Sequence, residues 1–429
     1  MNKKKLFYNF YFIISLLILI FTFYKSEIQW SGNIRNYYFK YYILSFILFS
    51  ISLIHFFSSN EIKKYLNIIF ITITISIYFF EIYISILDRN NILEKSIKMY
   101  EANNDKKFDV RNKIEILKDL KKTFNKVTLV VKPHEFKNIY TFAGISNHKT
   151  IFCNENGYYA IYESDRYGFN NPDEEWDKTS VEYLLIGDSF IHGSCVNRPD
   201  DISSILRNLS KKPVINLGFQ GVGPLIEYAL LKEYFPNNVK KILWFYYEGN
   251  DLVDLNRELK SNLLIKYFSE DNFLQHLKLK QDLIDKTLIE FINNEKSKKD
   301  ISKLKIFFNK FKKILKLSTT RELFLPKHQP GKDFIKIISK VKKFAENNNS
   351  ELYFIYLPEY SRYKYKSKNT SYSNIKSIIQ SMDIKFINID QEVFQNIPNP
   401  LSLFPFELPG HYNVNGYNEA GKKIYELTK

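Results

Sequence analysis

The sequence predicts an α/β domain built on a parallel sheet and carried behind three membrane-spanning helices. Two observations carry most of this. The first ninety residues hold three long apolar runs. Beyond residue 180, short apolar segments without period-two alternation are separated by stretches of helical spacing. A strand buried on both faces reads as a continuous apolar run, and helices between such strands make the sheet parallel. The chain has 429 residues, 45% of them hydrophobic and 25% charged, enough for a sizeable core.

The membrane part comes first. Leu6 to Tyr24 and Tyr41 to Phe57 carry no charge, and Tyr65 to Leu87 carries only Glu81. Each is about long enough to cross ~30 Å of hydrocarbon at ~1.5 Å per residue. Lys3, Lys4 and Lys5 resemble the start of a signal peptide, but Phe21-Thr22-Phe23-Tyr24 offers no small-residue cleavage site. Residues 1–90 therefore read as an uncleaved anchor. Basic residues before the first span, and Lys63 and Lys64 after the second, place those loops in the cytoplasm. Everything after Leu87 then lies outside, periplasmic or otherwise extracytoplasmic, with the spans forming a multi-pass anchor in the cell (inner) membrane. Glu81, near a span end, is expected to snorkel to the interface.

Residues 91–126 are polar with helical spacing and read as a juxtamembrane connector. The soluble domain is assigned to 127–429. Val127 to Val131 is strand-like, and the Gly- and Asn-rich stretch after it predicts short strands and loops. The alternation then begins. Strands are expected at Tyr183–Ile186, Pro213–Asn216, Lys241–Tyr246, Leu352–Tyr356 and Phe386–Ile389. Helices are expected at Asp201–Leu209, Leu225–Tyr234, Lys332–Asn347, Ile375–Met382 and Asn415–Leu427. A Lys-rich helical insertion, about 252–326, interrupts this pattern and reads as a lid, a partner surface or a solvated hairpin.

Net charge is +16. The chain is rich in Lys, Asn, Ile, Phe and Tyr together, as an AT-rich genome would encode, and no nucleic-acid-binding signature appears. No nucleic-acid partner is expected. There is no P-loop, no dinucleotide fingerprint and no metal-ligand spacing among the histidines, so no cofactor and no metal are expected. Cys153 and Cys195 are the only cysteines, and either a pair or two buried thiols fits them.

Short motifs stand where the strands end, and ligand sites in such sheets lie at carboxyl ends. Gly187-Asp188-Ser189-Phe190 follows the first core strand, and Asn216-Leu217-Gly218 closes the second. Glu248-Gly249-Asn250-Asp251 follows the third, and Gly410-His411-Tyr412-Asn413 precedes the last helix. A serine needs an adjacent base to act as a nucleophile, and His411 can serve. The Ser189 and Gly218 N–H groups and the Asn250 amide can meet an oxyanion. Asp188 and Asp251 are expected to support the loops.

These motifs, in this order, resemble the SGNH/GDSL hydrolases. The resemblance covers roughly Thr179 to Lys429 outside the insertion. It implies a flavodoxin-like three-layer α/β/α fold and acyl transfer through an acyl-serine. It implies Ser189 as nucleophile, His411 as base, and Ser189, Gly218 and Asn250 as the oxyanion hole. One departure stands out. The family's aspartate, three residues before the histidine, is Leu408 here. Glu407, four before the histidine, is one replacement; a Ser–His dyad and a lost activity are the other readings. His192 reads as a surface or pocket-wall residue, and Arg166 as a loop residue or a clamp for an anionic substrate. Taken together, the sequence reads as a membrane-anchored esterase acting on O-acyl, such as acetyl, groups of cell-envelope glycans. An O-acyltransferase of the same fold, or a non-catalytic polysaccharide-binding or assembly protein, is the alternative. The expected partners are the lipid bilayer and an acylated glycan or other ester, with a partner membrane protein left open.

Overall fold

The computed structural model describes residues 3–29, 35–90, 92–136, 138–297, 308, 311–323, 329–366 and 371–429. The chain forms two compact units, Met1–Arg89 with Ser302–Pro326 and Asn90–Ile301 with Lys327–Lys429.

The first unit holds helices α1 (Lys3–Phe23), α2 (Arg35–Phe57) and α3 (Asn60–Asn90). Stretches Tyr11–Ile28, Tyr38–Phe57 and Asn60–Ile86 are long and apolar enough to cross a membrane. Some of their polar groups find partners within the unit. Ser45 Oγ donates to the Ser15 carbonyl at 2.8 Å, and the Tyr11 hydroxyl to Asn67 Oδ1 at 2.7 Å. Glu81 does not snorkel. It is buried and accepts the backbone N–H groups of Thr319 and Thr320 at 3.0 and 2.7 Å. The insertion is thus divided. Residues up to Ile301 stay with the α/β unit, and Ser302–Pro326 groups with the apolar helices.

The second unit opens with the connector, as α4 (Ile92–Asn103) and α5 (Lys113–Leu120). Asn112 and Glu115 form a capping box that starts α5. Next come β1 (Val127–Leu129), the hairpin β2 (His134–Phe136) and β3 (Ile139–Thr141), β4 (Lys149–Ile151) and β5 (Ile161–Glu163). Strand β4 joins β1 in parallel and β5 in antiparallel fashion.

The main sheet has five strands: β6 (Val181–Ile186), β7 (Val214–Asn216), β8 (Val239–Tyr247), β9 (Glu351–Leu357) and β10 (Lys385–Asn388). All pair in parallel, in the order β10-β9-β8-β6-β7. Numbered within the sheet, that is the flavodoxin-like order 2-1-3-4-5, whose switch point lies between β6 and β8.

Side chains alternate between two cores. Leu184, Ile186, Ile242, Trp244 and Phe354 face helices α7 (Pro224–Tyr234) and, after the insertion's α8 (Asp251–Glu258), α9 (Asn262–Ser269) and α10 (Gln281–Ser297), α11 (Lys332–Asn347). Tyr183, Leu185, Leu243, Phe245 and Ile355 face α6 (Ile202–Ser210) and α12 (Val414–Thr428). Both faces are covered, so the strands show no polar alternation. Trp244 is 1% exposed, and truncating it to alanine costs about 3–5 kcal/mol.

Candidate active site

Strand β6 ends at Ile186, and the chain turns sharply through Gly187, Asp188 and Ser189. A Cβ on Gly187 would lie 2.7 Å from Ile191 Cγ1 and 3.0 Å from Phe245 Cβ, so only glycine fits there. Asp188 Oδ1 accepts the Phe190 N–H at 2.9 Å, which ties the turn. Burial pushes the Asp188 carboxyl up to about 6. Ser189 is left half-buried at the carboxyl end of the sheet, beside the switch point.

Asn413 caps α12 through its side chain and the Gly416 N–H at 2.9 Å. The cap fixes the two residues before it. His411 Nε2 lies 2.9 Å from Ser189 Oγ, and Phe190 packs beside the imidazole with ring centres 4.7 Å apart.

The partner of the histidine is not Glu407. That carboxylate accepts a hydrogen bond from Asn399 Nδ2 at 2.8 Å, and both Phe406 and Glu407 adopt left-handed backbone that turns the chain away. His411 Nδ1 instead meets Glu155, at 3.0 Å to Oε1 and 3.1 Å to Oε2. The His411 N–H also donates to Glu155 Oε2 at 2.7 Å. A carboxylate on Nδ1 fixes the tautomer and leaves Nε2 free to accept a proton.

The electrostatics agree. Burial lowers the His411 pKa, but the Glu155 charge, its hydrogen bonds and Asp188 outweigh burial and hold it above the ordinary value. Burial raises the Glu155 carboxyl, and the imidazole's charge and hydrogen bonds bring it below its ordinary value.

Glu155 comes from the loop between β4 and β5, and several contacts hold that loop. A disulfide joins Cys153 to Cys195 in the segment after Ser189. Asn156 Nδ2 donates to the Cys195 carbonyl at 2.9 Å, and Asp109 N–H to the Gly157 carbonyl at 2.9 Å. Tyr100 of α4 lies so close to Gly157 that a Cβ there would sit 2.3 Å from its ring. Tyr100 also meets the Phe406 ring edge-on at 6.1 Å. The connector thus braces both the Glu155 loop and the chain leading to His411.

Of the expected oxyanion donors, the Ser189 N–H has no acceptor among the described residues. Asn250 starts α8, and its Nδ2 donates to Asp254 Oδ2 at 3.0 Å, which leaves one amide hydrogen over. Gly218 is different. Its N–H donates to Asn216 Oδ1 at 2.7 Å, and a Cβ there would strike Ile191 at 2.6 Å. That glycine serves packing beneath the serine turn. Three residues on, Gly221 has φ +74° and an N–H without an acceptor among the described residues. Asp251 Oδ2 accepts the Tyr247 N–H at 2.8 Å and supports the β8 end.

Two other residues fall elsewhere. His192 is fully buried between Phe152 and Phe219, and burial together with the His411 charge pushes it down to about 3. Its Nδ1 accepts the Gln220 N–H at 3.1 Å, and its Nε2 faces the Tyr162 hydroxyl at 2.8 Å. Arg166 pairs with Asp173 and Asp177.

Among the described residues, one trio of metal-ligating side chains converges: Glu155, Cys195 and His411. The Cys195 sulfur is bonded to Cys153, and the other two are bonded to each other.

No family model matches the sequence, and no curated protein matches it. A solved structure from Desulfitobacterium hafniense, described as a lipolytic protein of the G-D-S-L family, is similar to this chain at 14% identity and a TM-score of 0.32. The match covers 58% of this chain and 99% of that one.

Proposed function

We propose that the chain is a membrane-anchored serine hydrolase of the SGNH type that cleaves esters through an acyl-serine. The observation that carries this is the contact series from Glu155 to His411 to Ser189, with Nε2 and Oγ 2.9 Å apart. His411 Nε2 takes the hydroxyl proton as Oγ bonds to the ester carbonyl carbon. The carbonyl electron pair moves to oxygen, where the N–H groups of Ser189 and Gly221 and the Asn250 amide receive the charge. Collapse expels the alcohol, which takes the proton from His411. Water, activated by the same imidazole, then releases the acid.

Glu155 stabilises the imidazolium that forms at each step. The missing acid at position 408 therefore no longer favours a binding protein. A sugar hydroxyl in place of water would make the same site an O-acyltransferase, and products analysed with and without a glycan acceptor separate the two.

The substrate class we propose is O-acyl groups, acetyl among them, on cell-envelope glycans. Two observations support an extracytoplasmic site: three apolar helices precede the domain, and a disulfide lies within it. Disulfides persist in oxidising compartments.

The test is labelling of the full chain, in detergent, by a fluorophosphonate. Wild type is expected to label, Ser189→Ala not at all, and Glu155→Gln slowly. Absence of labelling in a folded wild type would overturn the proposal.

A further inference from the structure

The segment Ser302–Pro326 is strongly biased. It carries six lysines and one arginine against a single acid, Glu322. Its lysines alternate with aromatic and aliphatic residues. Residues 308 and 311–315 are helical, followed by a short helix at Ser318–Leu323. Phe308, Phe311 and Leu315 follow the i, i+3, i+7 spacing of one helix face, and they are 58%, 49% and 53% exposed. Lys312, Lys313 and Lys316 lie on the adjoining face and are exposed.

The segment is fastened to α3, the third apolar helix. Glu81 accepts the Thr319 and Thr320 N–H groups, and the Tyr78 hydroxyl donates to the Leu315 carbonyl at 3.2 Å. The apolar stretch of α3 runs to Ile86. Tyr78 stands eight residues before that end, about 12 Å along the axis, and Glu81 about 7.5 Å. The Glu81 distance falls within the ~5–10 Å to which an in-plane amphipathic helix sinks at the boundary of headgroups and acyl chains, and Tyr78 lies just beyond it. A carboxylate at that depth needs partners, and the two backbone donors supply them.

We propose that residues 311–320 form an in-plane membrane-interface segment, with Phe311 and Leu315 on the acyl chains and Lys312, Lys313 and Lys316 on anionic phospholipid headgroups. The partner is a lipid surface. Each lysine near such a surface adds attraction that falls off within a Debye length. All of these contacts lie within the first unit and involve none of the residues of the proposed chemistry.

Both native cysteines are in the disulfide, so a new one labels selectively. Leu315→Cys in the full chain is labelled with an environment-sensitive fluorophore. The protein is reconstituted in phosphatidylcholine vesicles, and in equimolar phosphatidylcholine and phosphatidylglycerol. Brominated acyl chains are expected to remove most of the emission, more completely in the anionic vesicles, while aqueous iodide has little effect. Adding Lys312→Gln, Lys313→Gln and Lys316→Gln is expected to abolish the difference between the two compositions. Full quenching by iodide, with none by brominated lipid, would overturn the proposal and leave a solvated helix. Equal bromine quenching of the wild-type lysine set in both compositions would overturn the headgroup assignment. A single sharp elution peak in detergent checks that each variant is folded.

Discussion

Gly410 makes room for Glu155. A Cβ at position 410 would lie 2.7 Å from Glu155 Oε2, the oxygen that accepts the His411 N–H. The glycine immediately before the histidine thus admits its carboxylate partner. Gly410→Ala is expected to push the carboxylate off Nδ1 and lower kcat by about 10- to 100-fold, since misplacement near 1 Å can cost that much. KM should change little, and steady-state kinetics on a chromogenic ester would show the split.

The two candidate acids make opposite predictions. Glu155→Gln is expected to lower kcat by about 10²- to 10⁴-fold, the usual worth of a general acid–base arrangement. Glu407→Gln should stay close to wild type, because its carboxylate holds Asn399 and not His411.

The pH profile adds a sign. The base must be neutral, so activity rises with pH through the His411 pKa, which stands above its ordinary value chiefly through Glu155. Removing that charge lets burial dominate. The rising limb of kcat/KM in Glu155→Gln is expected to move to lower pH, and a limb that stays put or moves up would contradict the assignment.

The disulfide makes a third prediction. Cys153 is two residues from Glu155, and its bond to Cys195 ties the loop to the serine turn. Replacing both cysteines by serine is expected to cost about 2–4 kcal/mol of stability. It should also slow serine labelling at temperatures where the chain is still folded. Reductant added to wild type should reproduce the slower labelling.

Gly218 and Gly221 separate packing from chemistry. Gly218→Ala sets a methyl 2.6 Å from Ile191 and is expected to lower the unfolding temperature. Gly221→Ala meets only the flexible Lys132 side chain at 3.2 Å, but it must hold φ +74°, at about 1–2 kcal/mol. Its N–H should shift, and kcat should fall in addition to that loss of stability. Paired thermal scans and kinetics would show whether the two variants diverge in this way.

Much of the arrangement is legible in the sequence because it is local. Ile186, Trp244 and their neighbours read as strands, since burial on both faces removes every polar interruption. Ser189, Asn250 and His411 are legible because each lies where a strand gives way to a helix or just before a helix cap. Glu155 is not legible from spacing. It comes from a different sheet, upstream of the serine, and distance along the chain says nothing about such a contact. The signal available was indirect: the two cysteines, once paired, bring residue 155 to the serine turn. Gly218 misleads for a related reason. Whether a backbone N–H is free depends on a neighbouring side chain, here Asn216, and Gly218 and Gly221 look alike in sequence. Glu81 misleads because its partners, the Thr319 and Thr320 N–H groups, lie more than two hundred residues away along the chain.

The order of the three residues along the chain also has a consequence during biosynthesis. In the proposed mechanism the acid, Glu155, is made first, the nucleophile, Ser189, next, and the base, His411, last, more than two hundred residues after the serine. On that mechanism a nascent chain carries its serine with nothing to deprotonate it. The hydroxyl stays inert toward every ester it meets until residue 411 has emerged and docked beside it.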